Sequence, residues 1–212
     1  MTQIYLARHG ETAWNANQRI QGFTDSQLNQ KGRGQAKLLA ARLANVPTCA
    51  IYTSDLSRTY ETAGPLSESS NLPIVQLREL REKSYGDWEG RTASEVKEQY
   101  PELWHQFHTL RDITTPIPAG ETWLDVQHRV TRALQMILRS HPGDDDNVIV
   151  IGHGGSLRMA IIHALDAPLG SLARMRLDNC GLTVLDYRGE SGGRVLLLND
   201  TSHLENFSEV QA

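Results

Sequence analysis

Apolar positions fall into two kinds of pattern along this chain. Short continuous runs read as buried strands, at residues 3–7, 49–53, 73–76 and 148–151. The run Val148-Ile149-Val150-Ile151 is unbroken, as expected of a strand covered on both faces. Longer stretches show helical spacing. Residues 35–44 set Ala36, Leu39, Ala40 and Leu43 on one face, and Pro47 closes them. Residues 122–140 carry Val126, Val130, Leu134, Ile137 and Leu138 at helical intervals and form the strongest predicted helix. Shorter helices are predicted after Ser54-Asp55, either of which can cap, over 92–99 and 101–108, and from Gly155 or Ser156 to Leu165. Residues 173–177, 181–187 and 195–198 read as three further strands, with 189–193 a loose hairpin loop. Strands alternating with helices predict one α/β domain over residues 1–212, with a polar tail from about 199. There is no internal repeat, low-complexity run or linker.

Composition narrows the class. Apolar residues make up 39%, enough for a substantial core, and 21 Lys+Arg against 25 Asp+Glu leave a net charge of −4. A basic stripe of the kind nucleic-acid proteins show is missing, so no nucleic-acid partner is expected. No run reaches the length of a membrane span and no basic-apolar leader opens the chain, so a cytoplasmic setting without membrane contact is expected. The two cysteines, Cys49 and Cys180, lie far apart. Cys49 leads Ala50-Ile51-Tyr52 and is expected in the core. Metal is not expected. His105 and His108 lack an evident third ligand, and Asp144-Asp145-Asp146 lacks the spaced ligands and distal Glu of a calcium loop.

The chemistry gathers at two strand ends. The first strand stops in Arg8-His9-Gly10, and the run 148–151 stops in Gly152-His153-Gly154-Gly155-Ser156. Strand carboxyl ends are where α/β folds place their chemistry. Arginine offers a planar fork of donors that matches phosphate oxygens, and a neutral imidazole is a nucleophile near pH 7. Arg58 falls in the first turn of its helix, where free N–H groups already favour anions. The polar stretch 10–30 is long for a connection, a trait of functional loops.

Taken in order, Leu6-Ala7-Arg8-His9-Gly10-Glu11-Thr12, Trp14-Asn15, Gln21-Gly22-Phe23-Thr24-Asp25, Ser54-Asp55-Leu56-Ser57-Arg58-Thr59, Glu82 with Gly86 and Gly90, Gly120-Glu121-Thr122 and Gly152-His153-Gly154-Gly155 resemble the histidine phosphatase, or phosphoglycerate mutase-like, family. The resemblance runs along nearly the whole chain. It implies a mixed, mostly parallel sheet flanked by helices on both faces. It implies that His9 accepts the phosphoryl group, with Arg8, Arg58 and His153 around it and Asn15 as a further contact. Glu82 matches the proton donor, a role that needs a carboxyl able to give and take a proton. Glu79 and Glu89 are its rivals, with Glu89 better suited to holding its loop. The Gly154 backbone adds an N–H, Gln21, Gly22 and Phe23 border the substrate, and Tyr85 and Trp88 limit solvent. The chemistry needs no metal or cofactor, since fixed cations supply the charge.

Mutases of this family carry a long basic insertion after the acid. Here Gly90 leads through Arg91 straight into a helix, which resembles the phosphatase branch acting on a small phosphomonoester. The ending Asn199-Asp200-Thr201-Ser202-His203-Leu204 is similar to tails of metal-independent phosphoserine phosphatases and α-ribazole phosphatases. It narrowly favours phosphoserine, with His203 or Leu204 lining the pocket. Tyr85, where phosphoserine enzymes of this type can carry His, counts the other way. The alternatives are an α-ribazole or broad-specificity phosphatase, a phosphoglycerate mutase, and a non-catalytic phosphate-binding module. A homodimer through an edge strand at 173–177 is also an expectation.

Overall fold

The computed structural model describes residues 1–187 and 192–205. Its elements run in chain order as β1 (Thr2–Arg8), α1 (Ala13–Ala16), α2 (Gln30–Leu43), β2 (Thr48–Thr53), α3 (Ser57–Ser70), β3 (Ile74–Gln76), α4 (Ala93–Gln99), α5 (Pro101–Trp104), α6 (Trp123–Ser140), β4 (Asn147–Gly152), α7 (Gly154–Ala164), β5 (Leu182–Tyr187) and β6 (Gly193–Asp200). The sheet order is β3-β2-β4-β1-β5-β6. β1, β2, β3 and β4 are mutually parallel where they pair, and β5 and β6 add antiparallel. This is the mixed, mostly parallel sheet of the expected fold.

Pleating explains the apolar runs. Ile4, Leu6, Val148 and Val150 face a core built with α6 and α7, including Val126, Leu134, Leu157 and Ile161. Ala7, Ile149 and Ile151 face the opposite way, onto α2 and α3 through Leu39, Leu43 and Leu66. β4 is thus buried on both sides, and each branched side chain removed from water contributes about 1.5–3 kcal/mol. A smaller cluster of Trp88, Val96 and Ile117 lies under Tyr85, Tyr100, Trp104 and Phe107. Among the described residues no helix is long and apolar enough to cross a membrane.

Several expectations are corrected. Residues 173–177 are no strand; a 3-10 turn, Leu169–Arg174, buries Leu169 and Leu172 three apart, a helical spacing rather than an alternating one. The dimer contact placed on that edge has no strand to form it. Cys49 is exposed, because β2 shifts register between Thr48 and Ala50 and turns the thiol towards Asn147 and His141. α2 starts at Gln30 rather than residue 35, capped by the Asn29 side chain on the Gly32 N–H. Gly32 belongs inside the helix because a Cβ there would collide with the Glu11 backbone. Neither Ser54 nor Asp55 caps α3. That service comes from Asp25, whose carboxylate accepts the Ser57 N–H at 3.0 and 3.1 Å. Pro101–Trp104 is helical, but the chain then widens into a π turn over His105–Thr109. Part of the expected 189–193 loop, and the tail beyond 205, lie outside the described residues.

Candidate active site

β1 and β4 pair in parallel with Arg8 opposite Gly152, so the residues that follow emerge side by side. The His9 and His153 rings lie 5.2 Å apart at 62°. His9 is buried, and its Nδ1 meets the Gly10 carbonyl at 2.8 Å. That contact assigns the ring proton to Nδ1 and leaves Nε2 as a lone-pair nitrogen. Burial first, then the guanidiniums of Arg58 and Arg8, hold the His9 pKa well below its ordinary value. The ring is neutral at neutral pH.

His153 is equally buried and neutral for the same reasons, with Arg58 the main neighbouring charge. Arg58 Nε donates to its Nδ1 at 3.2 Å, so Nε2 carries the proton and donates to Ser54 Oγ at 2.7 Å. For His153 to bond a phosphoryl oxygen, as the family resemblance implies, its ring must exchange one of these partners. Arg58 is fully buried and also donates to the Thr24 and Gly22 carbonyls at 3.1 and 2.7 Å. Burial lowers its pKa to about 10, so it stays cationic at neutral pH. Arg8 differs. One terminal nitrogen donates to the Leu177 carbonyl at 2.9 Å, while the buried Nε has no partner. A buried donor left unmade costs about 1–3 kcal/mol, which an anionic oxygen would recover.

Glu82 reaches the first turn of α7. The Gly155 N–H lies 3.0 and 2.9 Å from its two oxygens, and the Lys83 N–H donates at 2.8 Å. A Cβ on Gly155 would collide with Glu82 Oε1. A Cβ on Gly154 would stand 3.7 Å from Arg8 Nε and 3.8 Å from Glu82 Oε2. The unpaired cationic donor, the carboxyl and the helix start therefore converge on one point, a ready anion site.

The supports of this arrangement escaped the sequence reading. Arg129 of α6 donates to the carbonyls of Glu79, Arg81 and Glu82 at 2.8, 2.6 and 2.7 Å. Its other contacts are to both oxygens of Glu121 at 2.9 Å, and Glu121 accepts the Ser84 N–H at 2.8 Å. Asn179 Nδ2 donates to the His9 carbonyl at 2.8 Å. No sequence signal marks Arg129, since three of its partners are backbone carbonyls; the fourth, Glu121, lies eight residues before it in the motif Gly120-Glu121-Thr122.

The other expected residues are placed as follows. Glu89 accepts the N–H groups of Phe23, Thr24 and Tyr85 at 2.9, 2.7 and 3.0 Å, so it clasps two loops together. Gly22 adopts φ +57°, which turns its carbonyl to Arg58. Gln21 is buried, and its amide oxygen accepts Thr12 and Ser26 hydroxyls, a role inside the loop. Asn15 accepts the Thr12 N–H at 3.2 Å and completes the cap of α1, with Asn179 Nδ2 3.4 Å away. The Phe23 ring lies 5.0 Å beneath the Arg81 guanidinium. Burial, reinforced by Glu82, pushes the Tyr85 pKa upward, so its hydroxyl keeps its proton. His203 lies on a 3-10 turn, Ser202–Leu204, that packs on α2; it faces the Cys180 backbone, and the charges nearest it are Asp200 and Arg42. Among the described residues, no group of three or more His, Cys, Asp or Glu is placed to hold a metal.

Two adjacent histidines at parallel strand ends, the buried Arg58, the half-buried Arg8 and a carboxyl at a helix start stand together, a set of groups suited to holding a phosphoryl group. The profile of the Histidine phosphatase superfamily (branch 1) matches residues 4–201, and the chain belongs to that superfamily. Its family and assembled site make it an enzyme of the phosphoric monoester hydrolase class. It is 35% identical over 209 residues to the Cronobacter sakazakii protein named "Probable phosphoglycerate mutase GpmB", covering 97% of this chain and 96% of that one. The structure of YhfR from Bacillus stearothermophilus superposes with a TM-score of 0.89 at 36% identity, covering 97% of this chain and all of the other. A mycobacterial glucosyl-3-phosphoglycerate phosphatase complexed with VO3 superposes with a TM-score of 0.85 at 27% identity, covering 94% and 99%.

Proposed function

We propose that the chain hydrolyses small-molecule phosphomonoesters through a phosphohistidine on His9, with neither metal nor cofactor. The observation that carries this reading is a neutral His9 with Nδ1 tied to Gly10, beside the unpartnered buried Nε of Arg8. In the first step Nε2 of His9 attacks phosphorus and the P–O bond to the alcohol breaks. Glu82 gives its proton to the departing oxygen. The ring becomes a cationic phosphohistidine, with its Nδ1 proton still held by the Gly10 carbonyl. In the second step water attacks phosphorus, Glu82 takes the water proton, the P–N bond breaks and inorganic phosphate leaves. Arg8, Arg58 and His153 offset charge on the equatorial oxygens, where preorganised donors act most strongly.

A mutase is the second reading, favoured by the name of the Cronobacter relative. Against it, Arg91 leads directly to α4, whose N-cap is Thr92, with no basic insertion between. The narrow preference for phosphoserine comes from the likeness of residues 199–204 to tails of such enzymes, with His203 or Leu204 lining the pocket. Tyr85 counts against it, so phosphoserine is tested beside the other substrates. The test is phosphate release in EDTA from L-phosphoserine, α-ribazole phosphate, 3-phosphoglycerate, fructose 2,6-bisphosphate and an aryl phosphate. Release from any of them in chelator supports metal-independent hydrolysis. Interconversion of phosphoglycerates without net release would make the chain a mutase, and binding without turnover would make it a phosphate-binding module.

A further inference from the structure

We infer that the phosphomonoesters this site serves have a bulky, aromatic or apolar alcohol that bears an anion of its own, such as a carboxylate, read by Arg158 and Arg111. This rests on the hydrolytic reading above. A cavity of about 300 Å³ opens beside Glu82, lined by Tyr85, Phe107, Trp123, Arg111, Arg158 and Leu172 among others. Its link to the chemistry is direct. A Cβ on Gly155 would meet both Glu82 and, at 3.1 Å, the Trp123 ring, so the acid and the cavity wall share one spot. An oxygen protonated by Glu82 therefore belongs to a group that extends towards that ring.

The walls say what the group is. Tyr85, Phe107 and Trp123 meet one another with centroids 6.2 to 6.5 Å apart, a rigid aromatic lining. The volume falls at the level of pockets that enclose drug-sized ligands, well beyond a serine or a glycerate. Yet the lining is not neutral. Arg158 is pinned by Nε to the Gly154 carbonyl at 2.8 Å and by a terminal nitrogen to the Leu172 carbonyl at 3.1 Å. Its guanidinium stands 5.9 Å from the Trp123 centroid, a preorganised fork on an apolar wall. Arg111 supplies a second guanidinium. Asp112 is a lining carboxylate, but the N–H and hydroxyl groups of Thr114 and Thr115 already satisfy it at 2.6 to 3.3 Å.

Behind the rings lies a third cation. Lys83 is fully buried, its Nζ has no hydrogen-bond partner, and it stands 5.5 to 5.7 Å from the centroids of Tyr85, Phe107 and Trp123. A neutral alcohol would offer the Arg158 and Arg111 guanidiniums no anionic partner, whereas Lys83 is already faced by Glu121, Asp125 and Glu82. Sites built to pair a polar group discriminate strongly against analogues that lack it.

The experiment compares 3-(4-phosphonooxyphenyl)propanoate with its methyl ester, which share a phenol leaving group and differ in the distal charge. The acid is expected to show a kcat/KM at least ten times that of the ester at low ionic strength, and to exceed L-phosphoserine by a similar factor. In the double variant Arg158→Met, Arg111→Met the ratio of acid to ester should fall to near one. An ester turned over as well as the acid, a ratio that survives both substitutions, or phosphoserine matching the aryl acid would each overturn the inference. Arg111→Met alone, on an exposed residue, keeps the test readable if the double variant does not fold, and should roughly halve the preference on a logarithmic scale. If no phosphate is released even from 4-nitrophenyl phosphate, the hydrolytic reading falls by itself. Calorimetry with 3-(4-hydroxyphenyl)propanoate then decides the pocket: binding weakened tenfold by Arg158→Met supports it, and unchanged or absent binding overturns it.

Discussion

His9 and His153 keep neutral rings where two guanidiniums and burial would make protonation costly. The consequence for stability has a definite sign. In the unfolded chain both rings take up a proton below about pH 6.5, whereas in the folded protein they do so only at lower pH. Stability is therefore full above pH 6.5 and is lost as pH falls towards the depressed folded values, by up to about 1.4 kcal/mol per pH unit for each ring. Urea midpoints at pH 7.5 and 5.5 should show the drop, and His153→Asn should shrink it. Lys83 follows the same logic at the alkaline end. Burial lowers its pKa from 10.5 to about 8, so its charge destabilises the fold below pH 8 and the penalty fades as pH rises to 10.5. Lys83→Met is expected to stabilise the protein at pH 7 by up to about 3 kcal/mol, with the gain gone near pH 10.5, as thermal melts at the two pH values would report. In catalysis, His9→Ala should abolish turnover. Glu82→Gln should slow alkyl phosphates by about 10²–10⁴ and aryl phosphates far less, because a phenolate departs with little help. Equal losses on both would remove Glu82 from the acid role.

At the scale of elements, the turn that carries Glu82 is held in place from α6. Arg129 gathers the carbonyls of Glu79, Arg81 and Glu82 itself and locks onto Glu121, which holds the Ser84 N–H. Arg129→Gln should therefore mimic the loss of the acid, costing at least tenfold more on an alkyl than on an aryl phosphate. Breaking this part-buried pair should also lower stability, by about 3 kcal/mol or more. A purely structural role would lower both substrates equally, and the ratio of the two rates separates the cases. The loop 22–24 hangs on Glu89 in the same manner, and α3 starts on Asp25 from that loop. Asp25→Ala should cost about 1 kcal/mol, the usual loss for a helix cap, read from the urea midpoint.

Across the whole molecule, the parts visible in the sequence were those with local signatures. Apolar runs marked β1, β2 and β4, and glycines beside His9 and His153 marked the strand ends that the sheet sets side by side. Glu89 could be read as a loop clasp because it precedes a glycine in a turn. What stayed hidden depends on contacts made across the fold. Ser54 looked like a cap but serves His153, Asp25 looked like part of a loop but caps α3, and Arg129 speaks to carbonyls that no sequence pattern displays. Residues 173–177 misled because Ala173, Met175 and Leu177 alternate with two arginines as a strand would, yet a 3-10 turn runs through Arg174 there.

β1 is a central strand, and its neighbours on both sides, β4 and β5, are encoded more than a hundred residues later. During synthesis the segment carrying His9 leaves the ribosome long before either partner exists. It must remain unpaired, or be sheltered by other factors, until translation passes residue 187. Pairing over such separations is slow, so His9, His153 and Glu82 come together as a late event in folding. Catalysis in this protein is thus a timed property as well as a spatial one: a stalled or truncated nascent chain carries the reactive histidine but offers it no chemistry, and the appearance of activity marks the moment the last central strands have closed.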